Sequence, residues 1–532
     1  MSRYIQGENR NQLNMLPISL DDLIEGDNPV RVIDALVDSL DINALNFQYA
    51  TPKDIGRKPY DPKHLLKLYI YGYFNGIRST RKLEKECKRN IEVMWLLDNL
   101  KPDDRTISNF RQHNKKSMIE VFKQFSMLCN ELGLYGKEIV AIDGSKFKAN
   151  NSRRKSYTKN KVKKMLQYYE QVANKYIDLL NENDNLEDKL ESYTRDEIQQ
   201  KLKEAKQRIQ KLTEMAEEIK KNGEISITDP DAKHMSTSNN GTDISHNVQI
   251  AVDSKNHLVV AVDVVSNPAD QTQLYNMASK TIENLGLKEV DIDTKGSEKK
   301  FDKDYEEDDN KEILTVLADK GYYSGEELEK CIKDNIKTIV PKQKSANKTG
   351  EKEYLKENFI YDKEKDIYIC PNGEVLANVS KPSSKDQVYR NYKTCMKCKD
   401  KDKCTTAKKG RVIKRGPYQE IYDKVDKITV ENKELYKQRQ MMVEHPFGTV
   451  KRNLGFTYFL TRGNENVKAE SFMHFFTYNL IRVINIVGAT KLIEILEAKT
   501  RAFLSLIYAY IKSRYILSNY KVISYKSGAT TS

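Results

Sequence analysis

The chain has 532 residues, of which 38% are hydrophobic and 31% are charged, a balance that excludes a membrane protein and suits a globular one. Lysine and arginine total 90 against 77 aspartate and glutamate, giving a formal net charge of +13. This charge favours a polyanionic partner, although a lysine-rich surface produces the same value. The most apolar stretch, 472–486, is interrupted by polar residues, and the polar N-terminus lacks a signal-peptide core. We therefore expect a cytoplasmic protein with no membrane partner.

Residues 1–130 read as an all-helical domain. Proline and aspartate at 59–62 predict the start of one helix, and Ser79 and Thr80 can cap the next. A third segment holds Ile91, Met94, Trp95 and Leu96, and a fourth spans 104–114. The fourth helix carries Arg105 and Arg111. Short helices with basic faces are typical of a helix-turn-helix-like DNA-binding domain. The alternative is a helical bundle whose lysines and arginines are simply solvated.

From Gly136 the pattern changes to buried strands. Strands are predicted at 138–142, 245–253, 257–265, 313–318 and 337–340, helices at 271–285 and 326–333, and a loop at the acidic stretch 302–309. This order predicts an α/β fold with an RNase H-like catalytic core, made of residues 131–150 and 223–341. Residues 431–490 are predicted to add its C-terminal part, and 491–532 a helical tail.

Two insertions interrupt the predicted core. Residues 151–222 contain neither glycine nor proline, and their apolar residues recur in steps of four and three, which predicts a helical hairpin. Thr194 and Glu197 form a capping box at the start of its second helix. We expect this hairpin to be a spacer or a dimer arm. The second insertion, 342–430, is lysine-rich with short strand-like pieces.

Four of the seven cysteines lie in the second insertion, at Cys370, Cys395, Cys398 and Cys404. The Cys-x2-Cys spacing of the middle pair suits zinc, whereas the isolated Cys370 and the gap before Cys404 are less regular. The sequence thus leaves two interpretations open, a structural zinc site or reduced thiols packed in a small β insertion.

Asp143 and Asp319 each come directly after a predicted buried strand. Ligands of open α/β sheets gather at the carboxyl ends of strands, so these carboxylates can converge on divalent cations. Two Mg²⁺ ions about 3.5–4 Å apart are one established arrangement for phosphoryl transfer. The alternative is that each aspartate only forms a turn.

Several blocks resemble DDE transposases. Residues 139–146 (Ile-Val-Ala-Ile-Asp-Gly-Ser-Lys) resemble the first catalytic block, and residues 316–323 (Val-Leu-Ala-Asp-Lys-Gly-Tyr-Tyr) the second. Tyr436, Arg439, Glu444 and Lys451 resemble the Tyr-Arg-Glu-Lys signature. Blocks at 59–73, 105–111, 229–232 and 246–253 are most similar to the insertion-sequence family eleven-eighty-two. Ordered blocks from about residue 10 to 485 are more specific than one short motif.

The resemblance implies a role for each matching residue. Asp143, Asp319 and Glu444 would bind two Mg²⁺ ions, for which Mn²⁺ would substitute. Arg439 and Lys451 would contact phosphates at the transposon end, and Tyr436 would position that end. The implied reaction is hydrolysis that frees a 3′-hydroxyl at the terminal inverted repeats, then attack of that hydroxyl on target DNA. Its partners would be double-stranded DNA and a second copy of the chain in a synaptic homodimer.

The third block departs from the signature in two ways. Four residues separate Arg439 from Glu444 where the family usually has three, which rotates Arg439 by about 100° on a regular helix. Pro446 disfavours helix at His445, so we expect a kink or a helix that begins near Pro446. If the helix is continuous, Lys451 shares a face with Glu444.

Two other functions fit the same residues, a metal-dependent nuclease without strand transfer and a non-catalytic DNA-binding protein derived from a transposase. The presence of all three carboxylates argues against the second. His246, on a predicted strand, is expected to hydrogen-bond a neighbour rather than to bind metal.

Overall fold

The computed structural model describes residues 19–52, 58–185, 195–236, 241–287, 314–342, 349–381 and 383–505. The chain divides into two compact units. The first joins residues 1–129 to residues 448–532, and the second spans 130–447. The stretch 431–490, expected from sequence to be one piece of the catalytic core, is therefore divided after Phe447.

The N-terminal part of the first unit is helical. Its helices are α1 (Pro29–Asp38), α2 (Pro62–Phe74), α3 (Thr80–Arg89), α4 (Ile91–Leu96), α5 (Asp104–His113) and α6 (Lys115–Glu131). The Asp61 carboxylate accepts a hydrogen bond from the Lys63 N–H at 2.8 Å, and Pro62 occupies the first helical turn. The Asn90 side chain likewise accepts from the Glu92 N–H at 3.0 Å. The four helices expected from sequence are present, and Ser79 precedes α3 as expected, but its side chain makes no capping hydrogen bond.

The second unit is built on a mixed sheet. Its elements up to residue 339 are β1 (Ile139–Lys148), β2 (Ser156–Thr158), α7 (Lys159–Asn185), α8 (Arg195–Asn222), β3 (Glu224–Ser226), β4 (Lys233–Ser236), β5 (Thr242–Asp253), β6 (Val259–Val265), α9 (Leu274–Leu285), β7 (Thr315–Leu317), α10 (Gly325–Lys333) and β8 (Lys337–Ile339). Strands β6, β5, β1, β7 and β8 are neighbours in that order, and β4 pairs with the start of β5. β1 is antiparallel to β5 and parallel to β7. This mixed α/β arrangement is compatible with the predicted RNase H-like core.

Strand β1 is longer than the sequence predicts. It was expected to end at Asp143, but it continues to Lys148 and pairs with β5 along its whole length, as far as Ser245. The residues after Asp143 are polar and include Gly144, so their pattern resembles a turn. The long, buried strand β5 supplies hydrogen-bond partners for them, and this tertiary pairing outweighs the local pattern.

The first insertion forms the expected hairpin of α7 and α8. Its core consists of Tyr157, Val162, Leu212 and Ile219. The connection 186–194, including Thr194 of the predicted capping box, lies outside the described residues, as do the acidic stretch 302–309 and Ile313.

The second insertion is a small antiparallel sheet. Its elements are β9 (Ile360–Asp362), β10 (Ile367–Ile369), β11 (Val375–Asn378), β12 (Gln387–Arg390), α11 (Tyr392–Lys397), α12 (Lys401–Cys404) and β13 (Val412–Arg415). The strands follow the order β13-β12-β11-β10-β9. Helix α13 (Gln419–Glu431) then returns to the main sheet, where the Thr429 hydroxyl accepts from the Val340 N–H at 3.2 Å. Helix α14 (Lys433–Gly448) follows.

Helix α15 (Asn464–Val487) belongs to the first unit. Phe472 lies 5.2 Å from Phe122 and Phe476 lies 5.1 Å from Phe125, as ring-centroid distances. These aromatic contacts with α6 explain why the segment packs with the N-terminal helices. Residues 489–505 are helical. Among the described residues, no helix has both the length and the apolar composition that crossing a membrane requires.

Candidate active site

Asp143 and Asp319 are brought together by the pairing of β1 with β7. These parallel strands place Val140 beside Val316 and Ala141 beside Leu317. Each aspartate comes two residues after the last of these pairs, so continuing the register sets Asp143 opposite Asp319. Strand β7 has ended by then, whereas β1 continues. The carboxylates therefore lie at the end of β7, where ligands of an α/β sheet are expected.

Asp319 is held by its own backbone. It caps a short helical turn, Lys320–Tyr322, and one carboxylate oxygen accepts a hydrogen bond from the Gly321 N–H at 2.7 Å. The role of a turn former, which the sequence left open, is thus present. It does not exclude metal binding, because each carboxylate oxygen has two lone pairs.

The electrostatic surroundings of Asp143 favour a cation. Burial raises the pKa of Asp143 from 3.8 to about 6, and the negative charges of Asp319 and Asp270 add to the rise. The Arg439 guanidinium and the Gly144 N–H act in the opposite direction. Carboxylates that are partly desolvated and close to one another repel, and a divalent ion relieves that repulsion.

Arg439 lies on α14 and points at this pair. Its Nη1 is 3.6 Å from Asp143 Oδ1, and only 15% of its side chain is exposed. This buried Nη1 has no hydrogen-bond partner within the described parts of the chain. Tyr436, one turn earlier, lies with its ring centroid 6.0 Å from the guanidinium carbon. Arg439 therefore lies beside Asp143, and Tyr436 lies next to Arg439, despite the altered spacing before Glu444.

Glu444 lies on the same helix but does not join the two aspartates. Its side chain is exposed and accepts a hydrogen bond from Gln440 Nε2 at 2.7 Å. In the described ranges, no three His, Cys, Asp or Glu side chains form a group that could hold a metal ion. Five residues of α-helix rotate a side chain by roughly 140° beyond one full turn, so the face that presents Arg439 to Asp143 does not present Glu444. Its role as third ligand stays a prediction.

Helix α14 does not begin near Pro446, so the later start that the sequence left open is wrong. It runs without interruption from Lys433 through Glu444 and His445, with Pro446 inside it, and a π-helical turn follows at Thr449–Asn453. The irregularity thus falls after the proline, and such turns are frequent at functional sites. Lys451 lies in this turn, within the first unit.

A polar network beside Asp143 was not predicted from the sequence. Asp270 accepts hydrogen bonds from Lys146 Nζ at 3.1 Å, Asn247 Nδ2 at 2.6 Å and Gln249 Nε2 at 2.7 Å. Gln249 also accepts from the Tyr322 hydroxyl. The available signal was the pair of polar residues at alternate positions of the buried strand 245–253, since buried polar groups need partners.

Gly144 is required by this network. A Cβ atom at position 144 would lie 2.2 Å from Gln249 Nε2 and 2.8 Å from Asp270 Oδ1. The glycine that follows Asp143 in the first block therefore has a packing reason, because the polar side chains pass directly over its backbone.

The remaining predicted site residues lie elsewhere. Arg105 is exposed on α5, whereas Arg111 is half-buried. Burial raises the pKa of the Tyr69 and Tyr73 hydroxyls, and the positive charge of Arg111 opposes that rise. Helix α3 exposes Arg81, Lys82, Lys85, Lys88 and Arg89 while burying Leu83 and Cys87. The expectation for His246 is confirmed, because its Nε2 lies 3.0 Å from Asp229 Oδ2 in a fully buried pair.

Two protein-family models match the chain. One, described as a transposase domain (DUF772), matches residues 18–113, and the other, described as a transposase DDE domain, matches residues 369–484. No curated protein and no solved structure matches. The matches support a transposase function. The second match contains Arg439 and Glu444. Together the two matches support a DDE-type insertion-sequence transposase.

Proposed function

We propose that this protein cuts DNA at the terminal inverted repeats of an insertion sequence of the eleven-eighty-two group and joins the freed ends to target DNA. The observation that carries the proposal is the Asp143–Asp319 pair with Arg439 beside it. Carboxylate oxygens are the ligands that Mg²⁺ prefers, and burial raises the pKa of Asp143, a rise to which the negative charge of Asp319 adds.

In this proposal Asp143 and Asp319 bind two Mg²⁺ ions, with Mn²⁺ able to replace them, and Glu444 completes the set from α14. When bound, the cations would supply the positive charge that activates water and stabilises the leaving oxygen. Arg439 would donate its unused Nη1–H to a phosphate oxygen, a charge-assisted contact, and Tyr436 would position the DNA end. Lys451 would contribute a further positive charge to the phosphate backbone.

The exposed basic residues of α3 and α5 would bind double-stranded DNA in the first unit. The exposed face of α3 presents five positive side chains, which suits contacts to phosphates. Two transposon ends must be joined in one reaction, so we infer that the active form is a homodimer. We expect no covalent intermediate between the protein and the DNA in this reaction.

The test is cleavage of DNA that carries the sequence flanking the coding region. We expect the wild-type protein to release 3′-hydroxyl ends at the repeat in the presence of Mg²⁺. Asp143→Asn should reduce cleavage by about 10³-fold, since one charged ligand is lost, while leaving DNA binding in a gel-shift assay intact. Asp243→Asn, the same substitution on β5, is the matched control. Cleavage by Asp143→Asn at the control rate would refute the catalytic assignment.

A second assay separates transposition from simple nuclease activity. Precleaved ends are mixed with a target plasmid, and joined products are measured. Joining by the wild-type protein supports strand transfer, whereas cleavage without joining supports the nuclease alternative. DNA binding with neither reaction supports the non-catalytic alternative.

A further inference from the structure

The insertion that holds strands β9–β13 has a small core. Among the described residues of the insertion, five buried side chains form its core cluster: Phe359, Tyr368, Leu376, Tyr389 and Ile413. Cys370 and Cys404 pack against this cluster from one side. A domain with so few buried apolar residues commonly needs an additional cross-link, such as a disulfide or a structural metal. All the cysteines are free thiols, so a disulfide does not provide it.

The four cysteines of the insertion come from three separate segments. Cys370 directly follows β10 and begins a tight turn, in which the Gly373 N–H donates to the Cys370 carbonyl at 2.8 Å. Cys395 and Cys398 lie at the end of α11, where the Cys398 N–H donates to the Cys395 carbonyl at 3.4 Å. Cys404 is the last residue of α12. Each thiol therefore lies at a turn or a helix end, where backbone bends around a metal are commonly found.

The fold brings these thiols to one place. All four line a single pocket. Cys404 interacts electrostatically with Cys370, Cys395 and Cys398, and Cys370 and Cys404 contact the same buried cluster. Gly410, with φ of 120°, packs against Cys395, where a Cβ would lie 2.3 Å from the Cys395 Cβ. The loop after α12 is thus held close to the thiol group.

Hydrogen-bond donors around the pocket, including the positive Arg411, suit a metal ion bound by negatively charged thiolates. Arg411 Nη1 donates to the Cys404 carbonyl at 3.5 Å. Arg411 Nε is buried without a hydrogen-bond partner among the described residues. Asn372 Nδ2 donates to Cys398 Sγ at 3.5 Å. Donors of this kind stabilise metal-bound thiolates from outside the ligand set.

We propose that Cys370, Cys395, Cys398 and Cys404 bind one structural zinc ion. The thiols in their present arrangement do not form a ready metal-binding group, so the ion would draw the sulfurs together as it displaces their four protons. With four thiolates the coordination shell is full, and the zinc has no open position for chemistry. Its effect is to tie the turn after β10 to α11 and α12. This proposal does not depend on the catalytic function.

The test is the metal content of the full-length protein, prepared without an affinity tag. We expect about one zinc per chain by elemental analysis, released when a mercurial reagent modifies the thiols. Cys398→Ala and Cys404→Ala should lose the zinc. Cys87→Ala and Cys331→Ala, which remove buried thiols outside the pocket, should retain it. Wild-type protein with no zinc, or the same zinc content in all four variants, would overturn the proposal.

Addition of Co²⁺ to metal-free wild-type protein provides a test that needs no variant. Four thiolates around Co²⁺ produce the visible bands of a tetrahedral site with sulfur ligands. We expect these bands to appear and to disappear when zinc is added. Their absence in reduced, folded protein would contradict a four-thiolate site even if zinc is found elsewhere on the chain.

Discussion

The main sheet and helix α14 hold their parts of the candidate site in different ways. On the sheet, Asp143 and Asp319 are set side by side by the hydrogen-bond register of β1 and β7, which can only slip by whole residues. On α14, the direction of Glu444 depends on the rotation of a helix that contains Pro446 and leads into a π-helical turn. Strand pairing therefore places the two aspartates, whereas the placement of Glu444 depends on helix α14. We expect the helix to complete the site when DNA and cations bind.

The largest effects are expected when one acid on the main sheet and one acid on helix α14 are neutralised in turn. Both Asp319→Asn and Glu444→Gln should reduce DNA cleavage by about 10³-fold if each side chain contacts the cations. Glu434→Gln, an exposed glutamate on the same helix, is the control and should cleave at the wild-type rate. A Glu444→Gln variant that cleaves normally beside an inactive Asp319→Asn would confine the chemistry to the sheet.

The polar network around Asp270 tests whether the placement of Asp143 on the sheet depends on neighbouring hydrogen bonds. Asp270→Asn would place an amide group against the donors of Lys146, Asn247 and Gln249. We expect cleavage to fall by about tenfold, because the strand that carries Asp143 is less well positioned. Circular dichroism and thermal unfolding would show whether the fold is kept. Lower stability with unchanged cleavage would make the network purely structural.

Gly144→Ala addresses the same contacts through packing. The new Cβ would overlap Gln249 Nε2 and Asp270 Oδ1, so we expect a loss of about 1–3 kcal/mol in the free energy of unfolding. Gly26→Ala is the control, since a Cβ there meets nothing within 4 Å. Equal stability of the two variants in denaturant titrations would show that the network can move aside.

How far the sequence predicts this protein depends on how local each signal is. The sequence predicts the helices α2 to α5, and the expected span 104–114 of the fourth agrees with α5 to one residue, because signals such as Pro62 act on neighbouring residues. Asp143 and Asp319 were found from their positions after buried strands and from the resemblance to known blocks.

The parts that were missed depend on distant partners. The extension of β1 to Lys148 requires β5, and the role of Asp270 requires three donors from two strands. The regular helix through Glu444 and Pro446 was also unexpected. Proline disfavours the helical conformation of the residue before it, but α14 continues through His445, which packs near His257 with ring centroids 6.3 Å apart.

The smallest expected effect concerns Asp143 in the absence of metal. Its pKa is about 6 in the folded protein against 3.8 ordinarily. A raised acid contributes stability below its unfolded pKa and loses that contribution as the pH rises through its folded pKa. At about pH 8 the buried charge therefore opposes folding, and Asp143→Asn should raise the free energy of unfolding by about 1–2 kcal/mol after allowance for partial exposure. Thermal unfolding without divalent ions at several pH values would measure this.

The advantage of Asp143→Asn should shrink as the pH falls from about 6 to below 3.8, where the wild-type carboxyl is mainly protonated in both states. Added Mg²⁺ should stabilise the wild-type protein and leave the variant unchanged, because only the folded wild type would hold the ion. An Asp143→Asn protein that is less stable than the wild type without metal would show that the sheet half of the site is not strained by its carboxylates. In that case Arg439 and the Gly144 N–H would compensate the charge of Asp143. The position of helix α14, which carries Arg439, would then matter more for forming the site than the register of the strands does.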